Sequence, residues 1–158
     1  MINNPLVSVV VITYNSARTV LDTLDSIANQ TYQNIELIIS DDCSQDDTVS
    51  VVNTWVEENK NRFISVKILT VEKNTGLVKN CNRGRKAAKG EWIKGIAGDD
   101  MLMPDAIEEY IKFILANPQC QMCVAGVNVF STENIPGALN KVLTILEKYE
   151  FNSCLICD

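Results

Sequence analysis

The sequence predicts an α/β domain in which a mainly parallel sheet carries helices on both faces. Three observations lead there. Short β-branched runs alternate along the whole chain with segments of helical apolar spacing. The first such run has no charge at all, as expected of a strand buried on both faces. Polar or acidic clusters then recur just where these runs stop, and open α/β sheets bind ligands outside the carboxyl ends of their strands.

The elements follow in order. Leu6 to Ile12 reads as the first strand, closed by Thr13-Tyr14-Asn15-Ser16. From Ala17 to Gln30 the residues Val20, Leu21, Leu24, Ile27 and Ala28 recur at helical spacing, with Ser16 as the expected N-cap. Ile35 to Ser40 is a second strand, ending in Asp41-Asp42-Cys43-Ser44. Ser44 and Asp47 form a capping-box pattern for a helix to about Asn59, with Val49, Val52 and Val56 inward. Phe63 to Val71 supplies a third strand and Asn74-Thr75-Gly76 a turn. A basic helix runs from Leu77 to Lys89, with Gly90 expected as its C-cap. Trp92 to Ala97 is a fourth strand leading into Asp99-Asp100, and Pro104 opens a helix that stops at Asn117-Pro118. The Val-rich run Cys120 to Phe130 is expected as a fifth strand, and Ala138 to Tyr149 as a weak helix. The divisions expected are a domain over 1–130 and the start of a second region over 131–158, which reads as cut short.

Composition removes several function classes. The 158 residues carry a net charge of −6, which argues against general nucleic-acid binding. Yet 7 of the 14 basic residues fall between Lys73 and Lys94, a segment suited to a small anion. There is no histidine, hence neither the commonest general base nor the commonest zinc ligand. No apolar run is long enough to span a membrane, and the N-terminus lacks the pattern of a signal peptide, so a cytoplasmic protein is expected. Two Cys-x-x-Cys pairs, Cys120/Cys123 and Cys154/Cys157, have the spacing of a zinc or redox site. In a strand, however, residues three apart face opposite sides, so reduced thiols are the expectation.

Three clusters at strand ends are the candidate site: Thr13-Tyr14-Asn15, Asp41-Asp42 and Asp99-Asp100. Adjacent carboxylates repel, and a hard cation shared with an anionic ligand relieves that repulsion. A solvated turn before a helix N-terminus is the plainer alternative. Tyr14 offers a flat face, and Asp42 can accept from a base edge. Lys79, Arg83 and Lys86 share one helix face, facing either phosphate or solvent. The glycine patterns of dinucleotide-binding and P-loop enzymes are absent. Gly98-Asp99-Asp100 matches a motif of RNA-dependent polymerases, but the chain is too short and lacks their basic surface. A phosphoacceptor receiver domain would need its acidic pair after the first strand.

The order Val7-Ser-Val-Val-Val-Ile-Thr-Tyr-Asn15, Gln30-Thr-Tyr32, Glu36-Leu-Ile-Ile-Ser-Asp-Asp-Cys-Ser44, Asn74-Thr-Gly76, Asn82, Gly90-Glu-Trp-Ile93, Asp99-Asp100 and Met103-Pro-Asp105 resembles family 2 glycosyltransferases from about Pro5 to Phe130. The resemblance implies a GT-A fold and an inverting transfer of sugar from a nucleotide-diphosphate donor, UDP-sugar being the first choice. It implies that Thr13, Tyr14 and Asn15 line the nucleoside pocket and that Asp42 contacts the base. Asp100 would ligate Mn²⁺ or Mg²⁺, with Asp99 beside it on metal, sugar or ribose, and Lys79, Asn82 and Arg83 would approach the donor.

The chain departs from the family pattern in places. Ala97 stands where many members carry a further Asp, and Cys81-Asn82 where many have Arg-Asn. The family's base lies on the acceptor side, beyond Asp158, and none of Glu133, Glu147, Glu150 and Asp158 sits in a matching motif. These residues alone are therefore expected to transfer no sugar. A glycan, lipid-linked or protein acceptor all remain open. Membrane association, at the inner face, is expected only through segments outside this chain. The alternatives are a non-catalytic nucleotide-sugar-binding module and a sugar-phosphate nucleotidyltransferase, which would need a glycine-rich loop after the first strand.

Overall fold

The computed structural model describes residues 4–123. The chain divides into two compact units, Met1–Ile111 and Lys112–Asp158. The first holds a four-stranded parallel sheet in the order β3-β2-β1-β4. Its strands are β1 (Val7–Thr13), β2 (Ile35–Asp41), β3 (Ser65–Leu69) and β4 (Trp92–Ala97), alternating with helices α1 (Val20–Ala28), α2 (Thr48–Asn59) and α3 (Leu77–Ala87), and the division falls within a fourth helix, α4 (Ala106–Ala116). A 3₁₀ turn, Lys60–Arg62, follows α2.

The charge-free first strand is indeed central. β1 pairs with β2 on one side and β4 on the other, and six of its seven residues are buried. β2 is buried throughout, including the charged Glu36. That carboxylate is matched by donors: Ser8 Oγ at 2.6 Å, Lys67 Nζ at 2.8 Å and the Lys89 amide at 2.8 Å. Burial alone would raise its pKa; those bonds and the Lys67 charge outweigh it and hold the group at about 2.

Helix boundaries shift for local reasons. Ser16 does not cap α1; its carbonyl accepts from the Thr19 and Val20 amides in a turn that precedes the helix. The Ser44 capping box does not form either, because Ser44 is bound to Asp41 and α2 begins only at Thr48. Asp46 instead accepts from the Thr48 amide at 3.0 Å. Gly90 is no left-handed C-cap: α3 ends at Ala87. Glycine is required there because a Cβ would lie 2.6 Å from the Ser8 nitrogen and 2.7 Å from the Leu6 carbonyl oxygen.

In the second unit, Cys120 to Cys123 lie in irregular chain with a bend at Gln121 rather than in a strand. The Cys120 amide donates to the Asn117 carbonyl at 2.8 Å, which holds the turn after α4. The rest of the expected fifth strand, the 138–149 helix and the second cysteine pair lie outside the described residues. Among the described residues no helix is long and apolar enough to cross a membrane.

Candidate functional site

Parallel pairing sets three loops side by side. Thr13 at the end of β1 is in register with Asp41 of β2, and Ile12 with Ala97 of β4. The loops after β1 and β2 are joined by side chains. The Asn15 amide donates to Ser44 Oγ at 2.8 Å, and the Gln45 amide to Asn15 Oδ1 at 2.8 Å. The Ser16 amide donates to Thr48 Oγ1 at 2.8 Å, and the Ala17 amide to Asp46 Oδ2 at 3.1 Å. Asn15 and Cys43 both take left-handed backbone, at φ 52° and 67°. Asn tolerates that region and Cys does not favour it.

Asp42 is the anchor of the next wall. The Thr75 and Gly76 amides donate to its Oδ2 at 2.8 and 2.7 Å, while Thr75 Oγ1 and Arg83 Nη2 donate to its Oδ1 at 2.6 and 3.0 Å. A carboxylate offers about four acceptor positions, and all are taken. Burial pushes its pKa up, but the bonds from Thr75, Arg83 and the two amides prevail and hold it at about 2. Asp42 thus pins the turn before α3 to the end of β2. The free acceptor expected for a base edge is not present in this arrangement, because the chain itself uses it.

The acidic pair sits on a loop secured at both ends. The Gly98 amide donates to the Ile12 carbonyl at 2.9 Å, and Thr19 Oγ1 to the Gly98 carbonyl at 2.7 Å. Beyond the pair, the Leu102 amide donates to Ser26 Oγ at 3.1 Å. The Gln30 side chain bridges the Met103 carbonyl (2.7 Å) and the Ile107 amide (3.0 Å). Asp99 and Asp100 themselves are exposed. Among the described residues no group of three or more His, Cys, Asp or Glu side chains is assembled to hold a metal. Two exposed carboxylates suit a cation that takes its remaining ligands from water and phosphate, which is how Mg²⁺ is usually held.

The sequence candidates therefore separate. Tyr14, Asn15, Lys79, Asn82, Asp99 and Asp100 are exposed, whereas Thr13 and Asp42 are buried and Arg83 is largely so. The Thr13 hydroxyl donates to Asp41 at 2.8 Å, so it supports the site from behind. Lys86 is exposed, while Arg83 turns inward. Sequence reasoning missed Gln30, Thr75 and Asn80. The first two lay inside quoted motif blocks, but nothing in spacing tells which polar residue becomes a strut.

A model of glycosyl transferase family 2 matches residues 8–153. The chain belongs to that family. Among similar proteins is an uncharacterized glycosyltransferase of Haemophilus influenzae, 33% identical over 73% of this chain and 44% of the relative. Another is the Escherichia coli UDP-Glc:alpha-D-GlcNAc-diphosphoundecaprenol beta-1,3-glucosyltransferase WfaP, 36% identical over 69% of this chain and 41% of the relative. The chain spans about half the length of the curated relatives it matches, 49% and 44% for two of them. Solved structures agree. The mannosyltransferase PcManGT of Pyrobaculum calidifontis, in complex with GDP-Man and Mn²⁺, superposes with a TM-score of 0.73 at 26% identity, over 90% of this chain and 39% of its own. S. aureus TarS residues 1–349, in complex with UDP-GlcNAc, gives 0.66 at 27% identity, over 80% and 37%. This member of the family thus has the GT-A fold, of which the parallel sheet and its flanking helices are a part.

Proposed function

We propose that this chain is the donor-binding half of an inverting glycosyltransferase that moves sugar from a nucleotide-diphosphate donor, UDP-sugar first, to an acceptor hydroxyl. The observation that carries it is the side-by-side placement of Tyr14-Asn15, the pinned turn before α3, and Asp99-Asp100 at the ends of β1, β2 and β4. Neighbours that hold UDP-GlcNAc and GDP-Man support it. Tyr14, half exposed, is the proposed nucleoside face. Asp42 and Thr13 keep the walls in place rather than meeting the base. Asp100, with Asp99 beside it, is the proposed holder of Mn²⁺ or Mg²⁺, which when bound supplies positive charge to the donor diphosphate. Lys79 and Asn82, exposed on α3, add a cation and an amide donor for the leaving group as its charge grows.

Inversion further calls for a carboxylate base that takes the acceptor proton as the hydroxyl attacks. Its place is proposed for the part that the longer relatives have beyond the stretch matched here. The test is a thermal-shift panel of nucleoside diphosphates with and without Mn²⁺. A ligand at about 100 times its dissociation constant adds about 2.7 kcal/mol of stability. If no nucleoside diphosphate moves the melting curve with Mn²⁺ present, the donor-site reading fails.

A further inference from the structure

We propose that Arg83 is a positioning residue for the nucleoside end of the site, acting through Asp42 and Asn80 without touching the donor. The proposal rests on the donor-site reading above.

Sequence spacing placed Lys79, Arg83 and Lys86 on one helix face, yet the two lysines are exposed while the Arg83 side chain is only 20% so. The Arg83 fork turns onto the end of β2. Its Nε donates to Ser40 Oγ at 3.0 Å, and its Nη2 donates to Asp42 Oδ1 at 3.0 Å, to the Asp41 carbonyl at 3.2 Å and to Asn80 Oδ1 at 2.8 Å. Its Nη1 lies 3.4 Å from Thr75 Oγ1. One side chain therefore ties together the end of β2, the 75–76 turn and the body of α3. Planar multi-donor geometry of this kind is available to arginine and not to lysine.

Both walls of the nucleoside region depend on it. Through Asp42 it fixes the Thr75–Gly76 turn. Through Asn80, whose Nδ2 donates to the Thr13 carbonyl at 3.1 Å, it fixes the residue before Tyr14. The Asp42 amide reaches the same carbonyl at 3.0 Å. The Asp99-Asp100 loop is held by a separate set of bonds, from Ile12, Thr19, Ser26 and Gln30, in which Arg83 takes no part. Loss of Arg83 should therefore damage nucleoside recognition far more than the metal end at Asp99-Asp100, to which α3 adds only Lys79 and Asn82 from its exposed face.

Calorimetry on Arg83→Met and Arg83→Lys tests this, using UDP and GDP with Mn²⁺ and, separately, inorganic pyrophosphate with Mn²⁺. In Arg83→Met the preferred nucleotide should bind at least about tenfold more weakly, while pyrophosphate stays within about twofold of wild type. Arg83→Lys should recover part of the loss, because it restores one charged donor to Asp42 but not the fork. Adding Asp42→Asn to Arg83→Met should weaken the nucleotide little further, since both changes break one unit. Equal weakening of nucleotide and pyrophosphate, or undisturbed nucleotide binding, overturns the proposal. Should Arg83→Met not fold, Arg83→Lys decides on the same ratio. Wild-type protein that binds pyrophosphate with Mn²⁺ but neither nucleotide removes the nucleoside end and this proposal with it. Wild-type protein that binds none of them removes the donor-site reading itself.

Discussion

Cys43 occupies a backbone conformation, φ 67°, that an L side chain enters at a cost of about 1–2 kcal/mol. Glycine would enter freely and lose some of that gain to unfolded-state entropy. Cys43→Gly is therefore expected to stabilise the protein by about 0.5–1 kcal/mol, read as a higher urea midpoint with unchanged slope. Asp100 tests the opposite kind of residue, an exposed side chain on a turn that its amide closes on the Ala97 carbonyl at 3.2 Å, a bond the substitution keeps. Asp100→Asn should remove the Mn²⁺-dependent part of nucleotide binding and leave the melting temperature level or slightly raised, because carboxylate repulsion is relieved. Binding that persists per folded molecule while folding suffers would mark the pair as a mere turn. At this scale the sequence showed which side chains cluster, because residue type and strand end are enough for that. It did not show that Asp42 and Arg83 satisfy each other, since that depends on a turn more than thirty residues downstream of Asp42.

α3 packs against the sheet so closely that Gly84 leaves no room for a methyl group. A Cβ there would lie 2.3 Å from Val10 Cγ1 and 3.5 Å from Ser40 Cβ. Helix propensity alone predicts that Gly84→Ala stabilises by about 1 kcal/mol. Val10 decides otherwise, because it is β-branched and buried in the central strand and cannot give way. The expected outcome is a net loss of about 1–3 kcal/mol, measured by denaturant unfolding, with weaker nucleotide binding as α3 shifts. All four strands and four helices within the first 117 residues were legible, since buried parallel strands and amphipathic helices have different periods. Cap positions were not. Ser16 and Ser44 look like N-caps in isolation, but α1 begins only at Val20 after a turn closed on the Ser16 carbonyl, and Asp41 takes the Ser44 hydroxyl. The Cys120–Cys123 stretch misled for a related reason: an apolar composition does not distinguish a strand from the turn that follows a helix.

β2 carries a buried, ion-paired carboxylate near its start, Glu36, and another just past its end, Asp42. Both are held at about 2, below their values in an unfolded chain of about 4. Groups depressed on folding stabilise the native state above the unfolded pKa and lose that contribution as pH falls toward the folded one. Stability should thus drop between about pH 4.5 and pH 2, seen as a falling urea midpoint. Glu36→Gln should be less stable at neutral pH, with Lys67 left unpaired, and should show a shallower acid slope. A slope identical to wild type would mean that folding does not depress the Glu36 pKa.

The strand order has a consequence for biosynthesis. β1 leaves the ribosome before the other three strands, yet it lies between β2 and β4, and its second neighbour ends only at Ala97. Until then one whole edge of a nearly all-apolar strand has no ladder partner, which is the state most open to aggregation. Nested truncations should show it: chains stopped before Trp92 are expected to be protease-sensitive and captured by chaperones, and those carried past Ala97 to become resistant together. The order in which this sheet closes thus makes the fourth strand the point at which the nascent protein first becomes safe in the cell.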